Sequence, residues 1–160
     1  MRRIGQRPQL KPDSGTDKEQ LLYVEDSDDN WRVAELRLGE MYELHRASTS
    51  RLACGFLRAQ GHELTAILMD IELRGSEMNG IDLTRLIKGT ADRSALPNYA
   101  LHVPQLDVPI IFVTAHGAKY SDEELLKVGG SKVIGKPVDF TALTFALTQL
   151  HLRRTLAPRG

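Results

Sequence analysis

Five short, mostly apolar segments recur along the chain, each followed by polar or glycine-containing residues. They lie at residues 20–24, 42–47, 64–70, 108–113 and 132–135, and the second is the weakest. Short runs bounded in this way are typical of strands buried in a parallel sheet. The third is the central one, because it ends on a carboxylate, Asp70, just before a polar loop.

Segments with helical spacing of apolar residues separate these strands. They predict helices at about 29–40, at 50–59, from 80 onwards, in a short stretch ending at 129, and from 139 or 141 to about 152. Ser27 or Asp28 is suited to cap the first helix, and Ser121 with Glu124 has the capping-box spacing. For the first helix we expect a buried stripe formed by Trp31, Ala34 and Leu38, with Val33 and Leu36.

This alternation predicts an α/β fold, a doubly wound parallel sheet with helices on both faces. The chain of 160 residues suits one domain of this kind. No apolar run approaches the length of a membrane span, and the N-terminus lacks the apolar region of a signal peptide. The single cysteine, Cys54, excludes an internal disulfide, so we expect a cytoplasmic protein in which this thiol is buried and inert.

The net charge of zero conceals a difference along the chain. Residues 1–18 carry five basic and two acidic side chains, and residues 153–160 carry three arginines and no acid, so the segment between them is net acidic. We predict a flexible arm at 1–18, an ordered domain at 19–152 and a basic tail at 153–160. With so few charges, solvated ends are favoured over contacts with nucleic acid.

The segment 89–107 is long for a connection between a helix and a strand. It has no helical or strand periodicity, but it contains leucine, tyrosine and valine. This composition favours a loop packed against the domain, with a second contact surface as the alternative.

Side chains with useful chemistry stand at four predicted strand ends. Glu25 and Asp26 follow the first strand, Asp70 ends the third, Thr114 follows the fourth and Lys136 the fifth. Because the carboxyl ends of parallel strands meet at one edge of a sheet, we expect these side chains to form one site. Three adjacent carboxylates repel one another and suit Mg²⁺. A carboxylate can then attack a phosphoryl group and form an acyl phosphate, while Lys136 and Thr114 stabilise phosphoryl oxygens.

Each of these residues also has an ordinary explanation. The acidic pair could be solvated charge at a helix N-terminus, Asp70 could cap a turn, Thr114 could be a plain strand end and Lys136 a surface lysine. Singly, these explanations are favoured, but the placement of all of them at strand ends, in this order, favours a site. We interpret Asp28 and Asp29 as capping charge.

The residues of the predicted site stand in motifs at 22–26, 67–70, 79–80, 111–115 and 133–137. On these motifs, over about residues 20–152, the chain resembles the receiver domain of response regulators in two-component signalling. The resemblance implies a flavodoxin-like (βα)5 fold with five parallel strands in the order 2-1-3-4-5. The chain departs from the family in a loop between Asp70 and Gly80 that is two residues longer than usual, and in an insertion at 89–107.

The resemblance also implies a role for each site residue. Asp70 would be the phosphoacceptor, and Thr114 and Lys136 would contact the phosphoryl group. Mg²⁺ would be held by Asp70 together with Glu25, Asp26 and the backbone carbonyl of Glu72.

Further positions follow from the same resemblance. Glu72 and His116 match positions that tune the lifetime of the phosphoryl group. Val133 stands where the family often has an aromatic switch residue, so an aromatic switch is not expected. The Lys136–Pro137 peptide bond is expected to be cis.

The function implied is that of a stand-alone receiver, which is not an enzyme although it would catalyse its own phosphorylation and dephosphorylation. A histidine kinase or a phosphotransfer protein would supply the phosphoryl group. A downstream protein would bind the face made by the fourth helix, the fifth strand and the fifth helix. The chain ends soon after the last predicted helix, so we expect no output domain.

Two alternatives stay open. A phosphohydrolase resembling the haloacid dehalogenase group also uses Asp, Thr or Ser, Lys and Mg²⁺, but its nucleophile lies near the first strand, whereas here an acidic pair precedes Asp70. A binding module that keeps the fold and is never phosphorylated is favoured by the long loop and Val133. The complete set of site residues argues against it.

Overall fold

Five parallel strands form the centre of the molecule, for which a computed structural model describes residues 18–115 and 119–157. The strands are β1 (Glu19–Val24), β2 (Tyr42–Ala47), β3 (Ala66–Asp70), β4 (Ile110–Thr114) and β5 (Lys132–Gly135). Their order in the sheet is β2-β1-β3-β4-β5. The predicted doubly wound fold and its strand order are therefore confirmed.

A helix follows each strand. The helices are α1 (Asp28–Leu38), α2 (Ser50–Gln60), α3 (Gly80–Lys88), α4 (Asp122–Val128) and α5 (Phe140–Leu156). Ser27 caps α1 by accepting a hydrogen bond from the Asn30 amide, and Ser121 and Glu124 form the predicted capping box of α4. None of the helices in the described ranges combines the length and apolar content that a membrane crossing needs.

The sheet separates two hydrophobic clusters, because successive side chains of a strand point to opposite faces. Ile67 and Met69 of β3 pack with α2, α3 and α4, whereas Leu68 of the same strand packs with α1 and α5. Cys54 is buried in the first cluster, as predicted. Burial on both faces explains why the central strands β3 and β4 are almost continuously apolar.

The predicted stripe of α1 is partly wrong. Ala34 and Leu38 are fully buried and Trp31 is half-buried, but Val33 is 49% exposed and Leu36 is 82% exposed. An α-helix on one face of a sheet buries a single stripe, with residues spaced by three and four positions. Val33 and Leu36 lie off the stripe that the other three residues form.

The last helix is longer than the sequence pattern indicates. It continues to Leu156 rather than ending near Leu152, so residues 153–156 of the predicted tail are helical. The Arg154 guanidinium donates a hydrogen bond to the Thr65 carbonyl, which ties this turn to the start of β3. The predicted arm, apart from Lys18, lies outside the described residues.

The segment 89–107 is a packed connection, as predicted. It contains two short 3-10 turns, Arg93–Ala95 and Asn98–Ala100. Ala100 and Val103 are buried in the cluster beneath α2 and α3. Two residues of the segment therefore belong to the domain's core, whereas its role as a second contact surface stays a prediction.

Candidate functional site

The strand ends meet at one open cleft of about 880 Å³. Its lining contains all five of the predicted side chains, Glu25, Asp26, Asp70, Thr114 and Lys136. The sheet register places Asp70 of β3 opposite Val113 of β4, and Thr114 opposite Gly135 of β5. The carboxyl edge of the sheet thus brings together residues that are up to 111 positions apart.

Glu25 is fully buried and is held by hydrogen bonds at both carboxylate oxygens. Its Oε1 accepts hydrogen bonds from the Ser27 amide at 3.0 Å and from Asn30 Nδ2 at 3.3 Å. Its Oε2 accepts a hydrogen bond from Lys136 Nζ at 2.9 Å. These hydrogen bonds fix the carboxylate in position, because they compensate a buried polar group for its removal from water and the loss of any one of them would be unfavourable.

Lys136 links two of the carboxylates. Its Nζ lies 2.9 Å from Glu25 Oε2 and 3.2 Å from Asp70 Oδ2. Burial on its own would lower the pKa of Lys136, but its hydrogen bonds and the negative charges of Glu25 and Asp70 raise it. The ammonium is therefore charged and held beside the predicted phosphoacceptor.

Asp70 is a carboxylate whose ionised form is destabilised. Burial and, secondly, the charge of Glu25 raise its pKa to about 6, although Lys136 acts in the opposite direction. Its Oδ1 accepts a hydrogen bond from the Ile71 amide at 2.8 Å. The side chain is thus positioned at one edge of the cleft and is mostly ionised only above pH 6.

The donor set at the cleft fits a hard divalent cation. Glu25, Asp26 and Asp70 each offer one carboxylate oxygen, and these oxygens lie within 4.8 Å of one another. Lys136 contacts Glu25 and Asp70, yet burial and, secondly, the charge of Glu25 still raise the pKa of Asp70, so its ionised form would gain from a further cation. Oxygen donors in such a cluster suit Mg²⁺.

The comparisons with known proteins agree on the nature of this fold. A family model described as the response regulator receiver domain matches residues 21–148. The chain belongs to this family. No curated protein sequence matches the chain.

Solved structures of receiver domains share the fold. A receiver domain protein from Clostridium thermocellum is 19% identical, with a TM-score of 0.69, and the match covers 86% of this chain and 98% of that one. The receiver domain of a Francisella response regulator is 16% identical, with a TM-score of 0.65, over 86% and 99% of the two chains. The signal receiver domain of a protein described as a LuxO repressor, from Vibrio parahaemolyticus, is 20% identical, with a TM-score of 0.66, over 89% and 99%. At these identities the likeness shows the fold alone.

The sequence analysis missed a basic residue of this receiver's site. Arg46 of β2 lines the cleft, and its guanidinium donates hydrogen bonds of 3.1 Å to the backbone carbonyls of Glu25 and of Asp26. It also forms an ion pair of 2.8 Å with Asp28 and lies over the Trp31 ring. Asp28, which the sequence analysis interprets only as capping charge, therefore helps to hold the arginine that binds the backbone of Glu25 and Asp26.

The other residues that the sequence analysis singled out lie at the rim of the cleft or outside it. Glu72 is exposed at the rim of the cleft, and Thr114 is half-buried with its carbonyl accepting a hydrogen bond from the Lys136 amide. Val133 lies opposite Phe112 in the neighbouring strand. The Lys136–Pro137 peptide bond is cis. His116 lies outside the described residues.

Proposed function

We propose that this receiver accepts a phosphoryl group on Asp70 in a Mg²⁺-dependent reaction, from a histidine kinase or a phosphotransfer protein of a two-component system. The observation that carries the proposal is the lysine bridge. Lys136 Nζ lies between the buried Glu25 and Asp70, at an open cleft where a third carboxylate, Asp26, completes an acidic cluster. This arrangement suits a nucleophilic carboxylate far better than it suits a structural ion pair.

The chemistry of transfer follows from these groups. An Asp70 carboxylate oxygen would attack phosphorus, a new P–O bond would form, and the P–N bond to a phosphohistidine would break with the imidazole leaving. With a pKa of about 6, Asp70 is mostly ionised at neutral pH and can act as the nucleophile. Lys136, fixed by Glu25, offsets the negative charge that collects on the phosphoryl oxygens.

Glu25, Asp26 and Asp70 would hold Mg²⁺, with the Glu72 backbone carbonyl as a further expected ligand. When bound, the metal supplies positive charge opposite the phosphoryl oxygens and reduces the repulsion between the acidic site and an anionic donor. Thr114 stands at the edge of the same cleft, where its hydroxyl is suited to bind a phosphoryl oxygen.

Phosphorylation would act by shifting a conformational equilibrium. A new charge at Asp70 would favour one arrangement of the face made by α4, β5 and α5, and a downstream protein would bind that arrangement. The receiver would act as a signalling module rather than as a turnover enzyme. The stand-alone organisation and the cytoplasmic location stay predictions from the sequence.

Incubation of the protein with acetyl phosphate and Mg²⁺ should add one phosphoryl group per chain, and EDTA should prevent the addition. Intact mass spectrometry measures both results. Continuous hydrolysis of p-nitrophenyl phosphate would instead support the phosphohydrolase alternative. If neither acetyl phosphate nor a phosphorylated phosphotransfer protein labelled the chain at any Mg²⁺ concentration, the proposal would be wrong and the binding module would be favoured.

A further inference from the structure

The insertion at 89–107 is anchored beside α2 by contacts along its length. The Leu106 amide donates a hydrogen bond to the Ile87 carbonyl at 2.9 Å, and the Arg58 guanidinium donates one to the Tyr99 carbonyl at 2.8 Å. The Arg51 guanidinium lies 4.9 Å from the centre of the Tyr99 ring. With Ala100 and Val103 buried as well, the insertion holds Tyr99 at a defined place next to the start of α2.

From this place, a series of hydrogen-bonded contacts, here called the relay, leads from Tyr99 towards the cleft. Its hydroxyl lies 2.8 Å from the hydroxyl of Ser50, the first residue of α2, which is only 1% exposed. The amide of Ser50 donates a hydrogen bond of 3.0 Å to the hydroxyl of Ser76. Ser76 belongs to the loop between β3 and α3, which the resemblance identified as two residues longer than usual. The two segments in which this chain departs from its family therefore meet at Ser50.

The relay continues along the loop to a predicted metal ligand. The Ser76 amide donates a hydrogen bond to the Leu73 carbonyl at 3.2 Å. The Arg74 amide, between these two residues, donates a hydrogen bond of 3.1 Å to Asp26 Oδ2. This bond holds one oxygen of the Asp26 carboxylate and so fixes the direction of the other.

We propose that Tyr99 is a positioning residue for the metal site, acting through Ser50 and Ser76 on the loop that orients Asp26. The inserted segment then stabilises the geometry of the Mg²⁺ site. This inference rests on the proposed function, because it assumes that the acidic cluster binds Mg²⁺. The loss of one hydrogen bond in a relay of this kind predicts a change in affinity of about two- to tenfold.

The substitution Tyr99→Phe removes the hydroxyl and keeps the ring beneath Arg51. We expect it to weaken Mg²⁺ binding about two- to tenfold by calorimetry on the unphosphorylated protein. Ser76→Ala should weaken binding by a similar factor, and the double variant should be no weaker than each single one. Tyr42→Phe, in the cluster on the opposite face of the sheet, and Ser94→Ala, whose hydroxyl donates a hydrogen bond to Asp92, are the matched controls.

A second measurement separates positioning from general loss of stability. In metal-free protein, hydrogen exchange of the amides at 73–76 should be faster in Tyr99→Phe and Ser76→Ala than in wild type, with exchange in β3 unchanged. Wild-type Mg²⁺ affinity in both variants, or fully additive effects in the double variant, would overturn the inference. A wild-type chain that binds Mg²⁺ but takes no phosphoryl group would contradict the proposed function alone, and the metal titrations would still decide the role of Tyr99.

Discussion

Replacing Lys136 with methionine should slow phosphoryl transfer to Asp70 by roughly 100-fold or more, which is the usual cost of removing a positioned donor from a transition state. The Lys136 ammonium contacts the predicted nucleophile, and its hydrogen bond to the buried Glu25 holds it there. The rate of labelling by acetyl phosphate at saturating Mg²⁺, followed by intact mass, measures the effect. Lys132→Met, at the exposed start of β5, is the control and should label at the wild-type rate.

The same substitution should destabilise the fold by about 3 kcal/mol at pH 8, because it breaks a buried ion pair and leaves two carboxylates without their cation. The raised pKa of Lys136 means that its contribution to stability is fully present at this pH and is lost only as the pH rises through that pKa. At pH 5 the cost should be smaller, since protonation of Asp70 removes one of the two charges. Urea unfolding measures the loss of stability at the two pH values, and an equal loss at both would contradict this account.

Replacing Asp70 with asparagine should stabilise the metal-free protein at neutral pH. The pKa of Asp70 is raised to about 6 in the folded chain, so its ionised form opposes folding above that pH. The penalty is fully present above pH 6 and disappears as the pH falls below the ordinary carboxyl pKa of about 4. The gain for Asp70→Asn at pH 8 should therefore be on the order of 2 kcal/mol, and it should vanish near pH 4.

Urea unfolding in EDTA at pH 8 and pH 4 tests this prediction. Asp122→Asn is the control, because Asp122 lies in the exposed first turn of α4 and its loss should not stabilise the protein. Added Mg²⁺ should reduce the difference in unfolding free energy between Asp70→Asn and wild type at pH 8, since a ligand that binds the folded wild type raises its stability. A pH-independent difference in stability, or none at pH 8, would show that the ionised form of Asp70 is not destabilised in the folded protein.

The sheet could be predicted because its signal is local. The central strands β1, β3 and β4 are apolar on both faces, and each helix between the strands carries its own cap or stripe. The stripe of α1 was overestimated, because the sequence does not show which of five neighbouring apolar residues will face the sheet. Leu36 lies off the stripe that Ala34 and Leu38 share, and it is exposed because α1 packs by one face.

The residues of the candidate site that stand at strand ends could be predicted from the sequence. The end of β2 was not included, and Arg46 was missed for that reason, although it stands one residue before the end of a strand that pairs with β1. The same rule applied to every strand would have found it. The relay from Tyr99 had no such signal, since it depends on a contact between hydroxyl groups 49 positions apart.

Intact mass after incubation with acetyl phosphate and Mg²⁺, on wild type, Asp70→Asn and Asp122→Asn, tests the central claim most directly. The geometry of the cleft predicts one added phosphoryl group on wild type and on Asp122→Asn, and none on Asp70→Asn. The urea unfolding of Asp70→Asn described above shows whether a failure to react reports the lost nucleophile rather than a lost fold. Equal labelling of Asp70→Asn and wild type would contradict the assignment of Asp70 as the phosphoacceptor.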